Sequence, residues 1–399
     1  MQKELYQIHE EEYSLNVEDC AITSIRKKDI LKSGCRCFED GLASCAGTLG
    51  EPTDETWLAA EQGQKLPYPY EAKSGTRSVD LSCRISVEDF LQSAEQMLGA
   101  LHAEFPDFLI TNKINFTVQT QTLRSSGGLD YRFCDSCASF DLLAKTRDCI
   151  QIFDTALMLQ QRQFDPAAFL RQAREILSAH QKPVALPAQR MPVLFTQDAF
   201  ESAFQFLLDG QALHRGASPF SGRLGEKVFS DRFTLLSSRT DDLPCRPFFD
   251  LEGTTLPGDR LPLIENGILR RGFADLRTAK ELSIEPTASA GGRYDALPST
   301  QHDYEIKPCA KTLQALLNGR DAVLITLASG GETTPDGNFA TPVQTAYLYQ
   351  DGHLVGRLPE LNISSSLYQM LGDDFLGMSA DKPFYGQHLL AVEANCTLN

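Results

Sequence analysis

The chain has 399 residues, 42% hydrophobic and 23% charged, enough for two or three domains with their own cores. A net charge of -16 and a pI near 4.9 argue against a grip on phosphate backbones, which needs clustered Lys and Arg, so nucleic acid is not expected as a partner. Residues 1–9 lack the apolar core of a signal peptide and no run approaches about 20 apolar residues, which predicts a cytoplasmic protein with no membrane partner. The eleven cysteines are an odd, scattered count that suits reduced, small apolar side chains better than a disulfide framework.

Residues 12–46 alternate in short stretches. Tyr13, Leu15 and Val17 share one strand face, Ile22 and Ile25 follow a turn, and Gly34-Cys35-Arg36-Cys37-Phe38 leads into an Asp40-Gly41 turn, the pattern of paired strands. Thr53 caps a helix over 53–62 with Trp57 on its buried side, and Leu66-Pro67-Tyr68-Pro69-Tyr70 reads as a linker. Ser86 opens a second helix, in which Val87, Phe90, Leu91, Ala94, Met97, Leu98 and Leu101 recur at helical spacing. Alternation over 113–121 and 129–143 predicts adjacent antiparallel strands, and Asp165-Pro166 starts a helix running to about His180. After the proline-punctuated segment 182–192 comes a short strand, 192–195, then an amphipathic helix over 197–208 capped by Thr196 or Asp198. Strands are expected at 228–237, 261–264, 322–327 and 345–349, with hairpin turns at Glu265-Asn266-Gly267 and Asp351-Gly352. The fold class is α+β: an N-terminal α/β region of antiparallel strands and helices, divided into 1–70 and 71–187, then a β-rich domain, 188–399.

Several ordered segments carry a family resemblance. They are Pro192-Val193-Leu194 before a helix, Ser221-Gly222-Arg223-Leu224-Gly225-Glu226-Lys227-Val228, Arg246-Pro247-Phe248-Phe249-Asp250-Leu251-Glu252-Gly253, Leu263-Ile264-Glu265-Asn266-Gly267-Ile268-Leu269, and Thr278-Ala279-Lys280-Glu281-Leu282-Ser283-Ile284-Glu285-Pro286-Thr287 with Ala290-Gly291-Gly292. The Gly-rich turn from Gly330 through Pro335 and Gly337 to Phe339 extends the order. By this succession the chain resembles the TldD/PmbA family, whose TldD-type and TldE (PmbA)-type subunits form a cytosolic peptidase.

In the TldD branch, a helical H-E-x-x-x-H supplies two imidazoles for zinc and a Glu that acts on its bound water, with a cysteine near the C-terminus as a further ligand. The matching helix here offers Glu201, Gln205 and Asp209 and no imidazole, and His214 lies past Gly210. The C-terminal cysteine position reads Gly377-Met378-Ser379-Ala380-Asp381-Lys382-Pro383, with Cys396 well beyond it. The resemblance is therefore to the TldE/PmbA-like branch. It implies a non-catalytic subunit that shapes a chamber and holds unfolded or extended peptide for a TldD-type partner, with no cofactor of its own and zinc in the partner. His214, Arg223, Glu226 and Lys227 are the candidate peptide- or partner-contacting residues.

Other features have plainer readings. Cys134 and Cys137 have CxxC spacing, yet a strand turns them to opposite faces and no second pair accompanies them, which favours packing over metal. Cys35 and Cys37 share a face and pack side by side. Asp241, Asp242, Asp250, Glu252 and Asp259 form a local acid cluster that could meet substrate amines, with a solvated loop as the commoner explanation. No G-x-S-x-G elbow or Walker loop occurs. Two alternatives stay open: an independent metal-dependent peptidase rebuilt around His214, His302, His388 or the cysteines, and a stand-alone peptide-binding homo-oligomer.

Overall fold

The computed structural model describes residues 1–150, 154–240, 242–334 and 336–398, so Asp241 of the acid cluster and Pro335 of the Gly-rich turn lie outside the described residues. The N-terminal half runs β1 (Gln2–Glu18), β2 (Ala21–Glu39), β3 (Leu42–Leu49), α1 (Asp54–Gln62), β4 (Leu66–Pro67), β5 (Gly75–Asp80), α2 (Val87–Glu104), β6 (Phe108–Ser125), β7 (Leu129–Thr146), β8 (Thr155–Gln161) and α3 (Pro166–His180). Its strands form one sheet in the order β4-β3-β2-β1-β6-β7-β5, with β8 also on β7. The units 1–70 and 71–187 expected from the sequence thus share a single sheet, joined where β1 pairs with β6. The Asp40-Gly41 turn forms with φ of 51° and 77°, the left-handed pair that a two-residue hairpin requires.

The helix starts follow side-chain chemistry. Thr53, Ser86 and Asp165 each accept a backbone N–H from three residues on, and Pro166 occupies the first helical position, where a missing N–H costs nothing. Cys35 and Cys37 lie side by side against Ala60 and Trp57 of α1, as their spacing predicts. Cys134 is buried and Cys137 half-buried, Cys134 Sγ accepting from Thr120 Oγ1 at 3.3 Å and Cys137 Sγ from Gln160 Nε2 at 3.3 Å.

The C-terminal half comprises β9 (Arg190–Phe195), α4 (Glu201–Leu208), α5 (Gly210–His214), β10 (Leu235–Ser238), β11 (Arg260–Glu265), β12 (Ile268–Leu269), α6 (Leu276–Leu282), β13 (Ala290–Gly291), β14 (Ser299–Thr300), β15 (Glu305–Ile306) and α7 (Leu313–Leu317). It continues with β16 (Ala322–Ala328), β17 (Glu332–Thr333), β18 (Asn338–Gln350), β19 (His353–Arg357), β20 (Leu361–Ser366), α8 (Leu367–Met370), β21 (Phe375–Met378) and β22 (Leu390–Leu398). The principal sheet runs β16-β9-β22-β20-β18-β17 and closes on itself because β16 also pairs β18. Alternation divides its side chains between two cores. Val193, Val323 and Val392 join α4 in one, whereas Leu194, Leu324 and Ala391 join α2, α3 and the N-terminal sheet in the other. The expected strand over 228–237 shortens to β10, because Val228 and Phe229 bond the Gly267 carbonyl and turn the chain while Phe229 and Phe233 fill the core.

Candidate functional site

The motif helix forms because Phe200, Ala203, Phe204, Leu207 and Leu208 make one buried stripe, with Phe204 lying 6.1 Å from Phe233 and 5.2 Å from Tyr304 between ring centroids. It is shorter than expected. Residues 197–200 form a 3₁₀ turn ahead of α4, and neither Thr196 nor Asp198 supplies a side-chain cap, correcting the sequence-based expectation. Outward, Gln205 Nε2 donates to Glu201 Oε1 at 2.9 Å, one turn apart, and Phe206 is exposed.

Asp209 ends the helix with a ψ of 121° and starts α5 by accepting the Ala212 N–H at 2.7 Å. Gly210 N–H then donates to the Phe273 carbonyl at 3.0 Å, so closely that a Cβ on Gly210 would stand 2.3 Å from that oxygen. His302 Nε2 sits 3.7 Å from Asp209 Oδ2, beyond hydrogen-bond reach, and its ring meets Phe273 edge-on at 4.8 Å. The neighbouring imidazole, and then the Ala212 N–H, hold the Asp209 carboxyl below its ordinary range against the effect of burial.

This donor set does not fit zinc. Structural and catalytic zinc sites gather three or four convergent N, S or O ligands, and among the described residues no three His, Cys, Asp or Glu side chains converge. His214 is exposed on α5, while His388 Nδ1 lies 2.8 Å from the Ser379 carbonyl and Cys396 is buried in β22. Arg223, Glu226 and Lys227 cluster in the loop after α5, where Arg223 Nε lies 3.1 Å from Glu226 Oε2 and Lys227 Nζ 3.7 Å from Asp231.

Beside the start of the motif helix opens a cleft of about 480 Å³. The N-terminal sheet gives it Ser139, Asp141 and Met158; the C-terminal half gives Phe195, Asp198 and the end of β16 through Gly331. β9 pairs β16 only at Val323 and Leu324, so beyond Leu324 the β9 side of β16 has no strand partner among the described residues, and Ile325, Thr326 and Ala328 line the cleft. Tyr385 pins this edge, its hydroxyl lying 2.9 Å from Thr326 Oγ1 and donating to the Ile325 carbonyl at 3.3 Å. Thr326 and Tyr385 were not singled out from the sequence, and Asp198 was read there only as a helix cap. The only signal was an apolar strand running into Ser329-Gly330-Gly331, since the walls come from segments nearly two hundred residues apart.

The acid cluster divides, which corrects the solvated-loop reading for two members. Asp242 and Asp259 pair with Arg260 and Arg77, but Asp250 and Glu252 are 2% and 5% exposed. Asp250 accepts N–H groups from Glu252, Thr254 and Ala290, and Glu252 accepts the Tyr68 hydroxyl and the Leu276 N–H. Tyr68 of the supposed linker is therefore a buried joint between the halves.

Comparisons with known proteins agree with this architecture. A family model described as the PmbA/TldA metallopeptidase C-terminal domain matches residues 188–388. A metalloprotease of Archaeoglobus fulgidus is 24% identical over 209 residues, 51% of this chain and 49% of that protein. A metalloprotease TldD homologue of Buchnera aphidicola is 26% identical over 180 residues, 42% of this chain and 36% of that protein. The chain spans about half, or less, of the length of these curated relatives. The crystal structure of TldE from Thermococcus kodakarensis superposes with a TM-score of 0.77 at 17% identity, over 100% of this chain and 97% of that one, a shared fold.

Proposed function

Because this chain belongs to the TldD/PmbA metallopeptidase family, we propose that it is the TldE/PmbA-like, non-catalytic subunit of a cytosolic peptidase, holding an extended peptide while a TldD-type partner hydrolyses it. The observation that carries this reading is the motif helix, where Glu201 is bonded to Gln205 and the chain turns away at Asp209. A zinc ion that activates water needs convergent protein ligands and one open position, and these side chains do not provide them. We assign zinc to the partner and none to this chain.

What the chain contributes is the cleft. The stretch of β16 beyond Leu324, apart from the Ile325 carbonyl that Tyr385 already occupies, offers its backbone groups to an added strand, an arrangement that gives affinity with little dependence on sequence. His214 with Arg223, Glu226 and Lys227, near one another in the chain after the motif helix, is the surface we assign to the partner or to emerging peptide. In the test, the purified chain, a TldD-type homologue that keeps H-E-x-x-x-H, and their mixture are each given an unfolded peptide. Cleavage is expected to need the homologue, to rise when this chain is added, and to survive Glu201→Gln in this chain. Zinc-dependent turnover by this chain alone would sink the reading.

A further inference from the structure

Resting on the peptide-holding role proposed above, we infer that the cleft selects basic peptides, seating a pair of adjacent Lys or Arg side chains against Asp141 on one wall and Asp198 on the other. The two carboxylates enter from different halves of the molecule: Asp141 from β7 of the N-terminal sheet, Asp198 from the turn that leads into α4. No Lys, Arg or His lines the cleft among the described residues. Asp141 Oδ2 accepts only a neutral donor, Ser139 Oγ at 2.7 Å, and neither Asp141 nor Asp198 belongs to an ion pair among the described residues. Nearby acids outside the cleft do, Asp135 with Arg162 and Asp242 with Arg260. The cleft is thus an acid-lined space in which a bound peptide would bring the first cation.

Strand geometry sets the spacing. In a segment added to the edge of β16, successive side chains point to opposite faces, so two adjacent basic residues reach the two walls at once. Met158, Leu159, Phe195 and Phe339 provide apolar surface for the methylene stems of these side chains, leaving the charged heads for the carboxylates. A glutamate in the same place meets like charge on both walls, which disfavours it.

The test uses the full chain and three fluorescein-labelled decapeptides, alike except for a central Lys-Lys, Gln-Gln or Glu-Glu step, with dissociation constants read by fluorescence anisotropy. The Lys-Lys peptide is expected to bind at least about tenfold more tightly than the Glu-Glu peptide at about 50 mM salt, and the ratio to shrink at about 300 mM as charges are screened. Asp141→Asn with Asp198→Asn should erase the preference, bringing the Lys-Lys and Glu-Glu peptides to about equal affinity. Asp198→Asn alone, at an exposed side chain without a capping bond, should lower the preference about threefold without risk to folding. Asp351→Asn, in the exposed hairpin turn between β18 and β19, should leave it intact. Equal affinities, or a preference that persists in the double variant as a property of the acidic surface at large, would overturn the selectivity while sparing the peptide-holding role. Failure of all three peptides to bind would remove that role and the selectivity with it.

Discussion

Glu4 lies within the sheet at 6% exposure, its Oε2 4.0 Å from Arg36 Nη1 and its field shared with Lys73 and Asp250. Burial, only partly offset by Arg36 and then Lys73, pushes its carboxyl up to about 7. Glu252 is also pushed up to about 7, first by burial and then by the adjacent charge of Asp250. A carboxyl whose folded value is raised stabilises the fold fully below its unfolded value, and that stability is lost as pH rises through the folded value. Unfolding by urea should therefore show a midpoint that falls between about pH 5 and pH 8, with Glu4 contributing on the order of 3 kcal/mol. Glu4→Gln should flatten the decline, and a midpoint that rises over the same range would contradict the assignment. The sequence displayed Asp250 and Glu252 as part of an acidic loop, because nothing local reports that Ala290 will bond Asp250 or that Tyr68 and Leu276 will bond Glu252. Burial of a charge is decided by distant partners, whereas the caps at Thr53, Ser86 and Asp165 are decided within three residues and were legible.

The break between α4 and α5 is the element that distinguishes this site from a continuous metal-binding helix. Gly210 holds it, since the Phe273 carbonyl occupies the space that a side chain would need and that carbonyl is fixed backbone. Gly210→Ala should cost about 1–3 kcal/mol, read as a lower denaturation midpoint. Far-UV circular dichroism of the native state should hardly change, because the break separates only eight and five helical residues. An unchanged midpoint would mean that the 273 segment can retreat at no cost, and the break would then not be enforced by packing. Periodicity announced the buried stripe of this helix and its end at residue 208 correctly, with His214 beyond it, but not α5, which follows because a contact with residue 273 competes with the helix and bends the backbone at Gly210. The same competition shortened the strand expected over 228–237, where the Gly267 turn takes the hydrogen bonds that a sheet partner would have used.

At the scale of the molecule, the two halves share a core. Alongside Phe90, Leu98, Phe140 and Ile176 of the N-terminal half, it contains Leu194, Leu324, Tyr347 and Ala391 from the C-terminal sheet. Polar joints add to the seam: Asp135 is fully buried, gripped by Arg162 at 2.6 and 3.0 Å, and accepts the Cys245 N–H at 2.9 Å. Removing one partner of a buried pair strands the other charge, so Arg162→Ala should lower stability by about 3–5 kcal/mol across the whole chain rather than in one half. Calorimetry is expected to give one cooperative transition for the wild type and for Arg162→Ala, displaced downward in the variant. The reason is that separating the halves would expose the apolar faces of α2, α3 and the C-terminal sheet together. Two resolved transitions, only one of them moved by the substitution, would show that the halves unfold independently. The cleft lies on this same seam, with Asp141 on one side and Asp198 on the other, so its shape depends on that docking being cooperative.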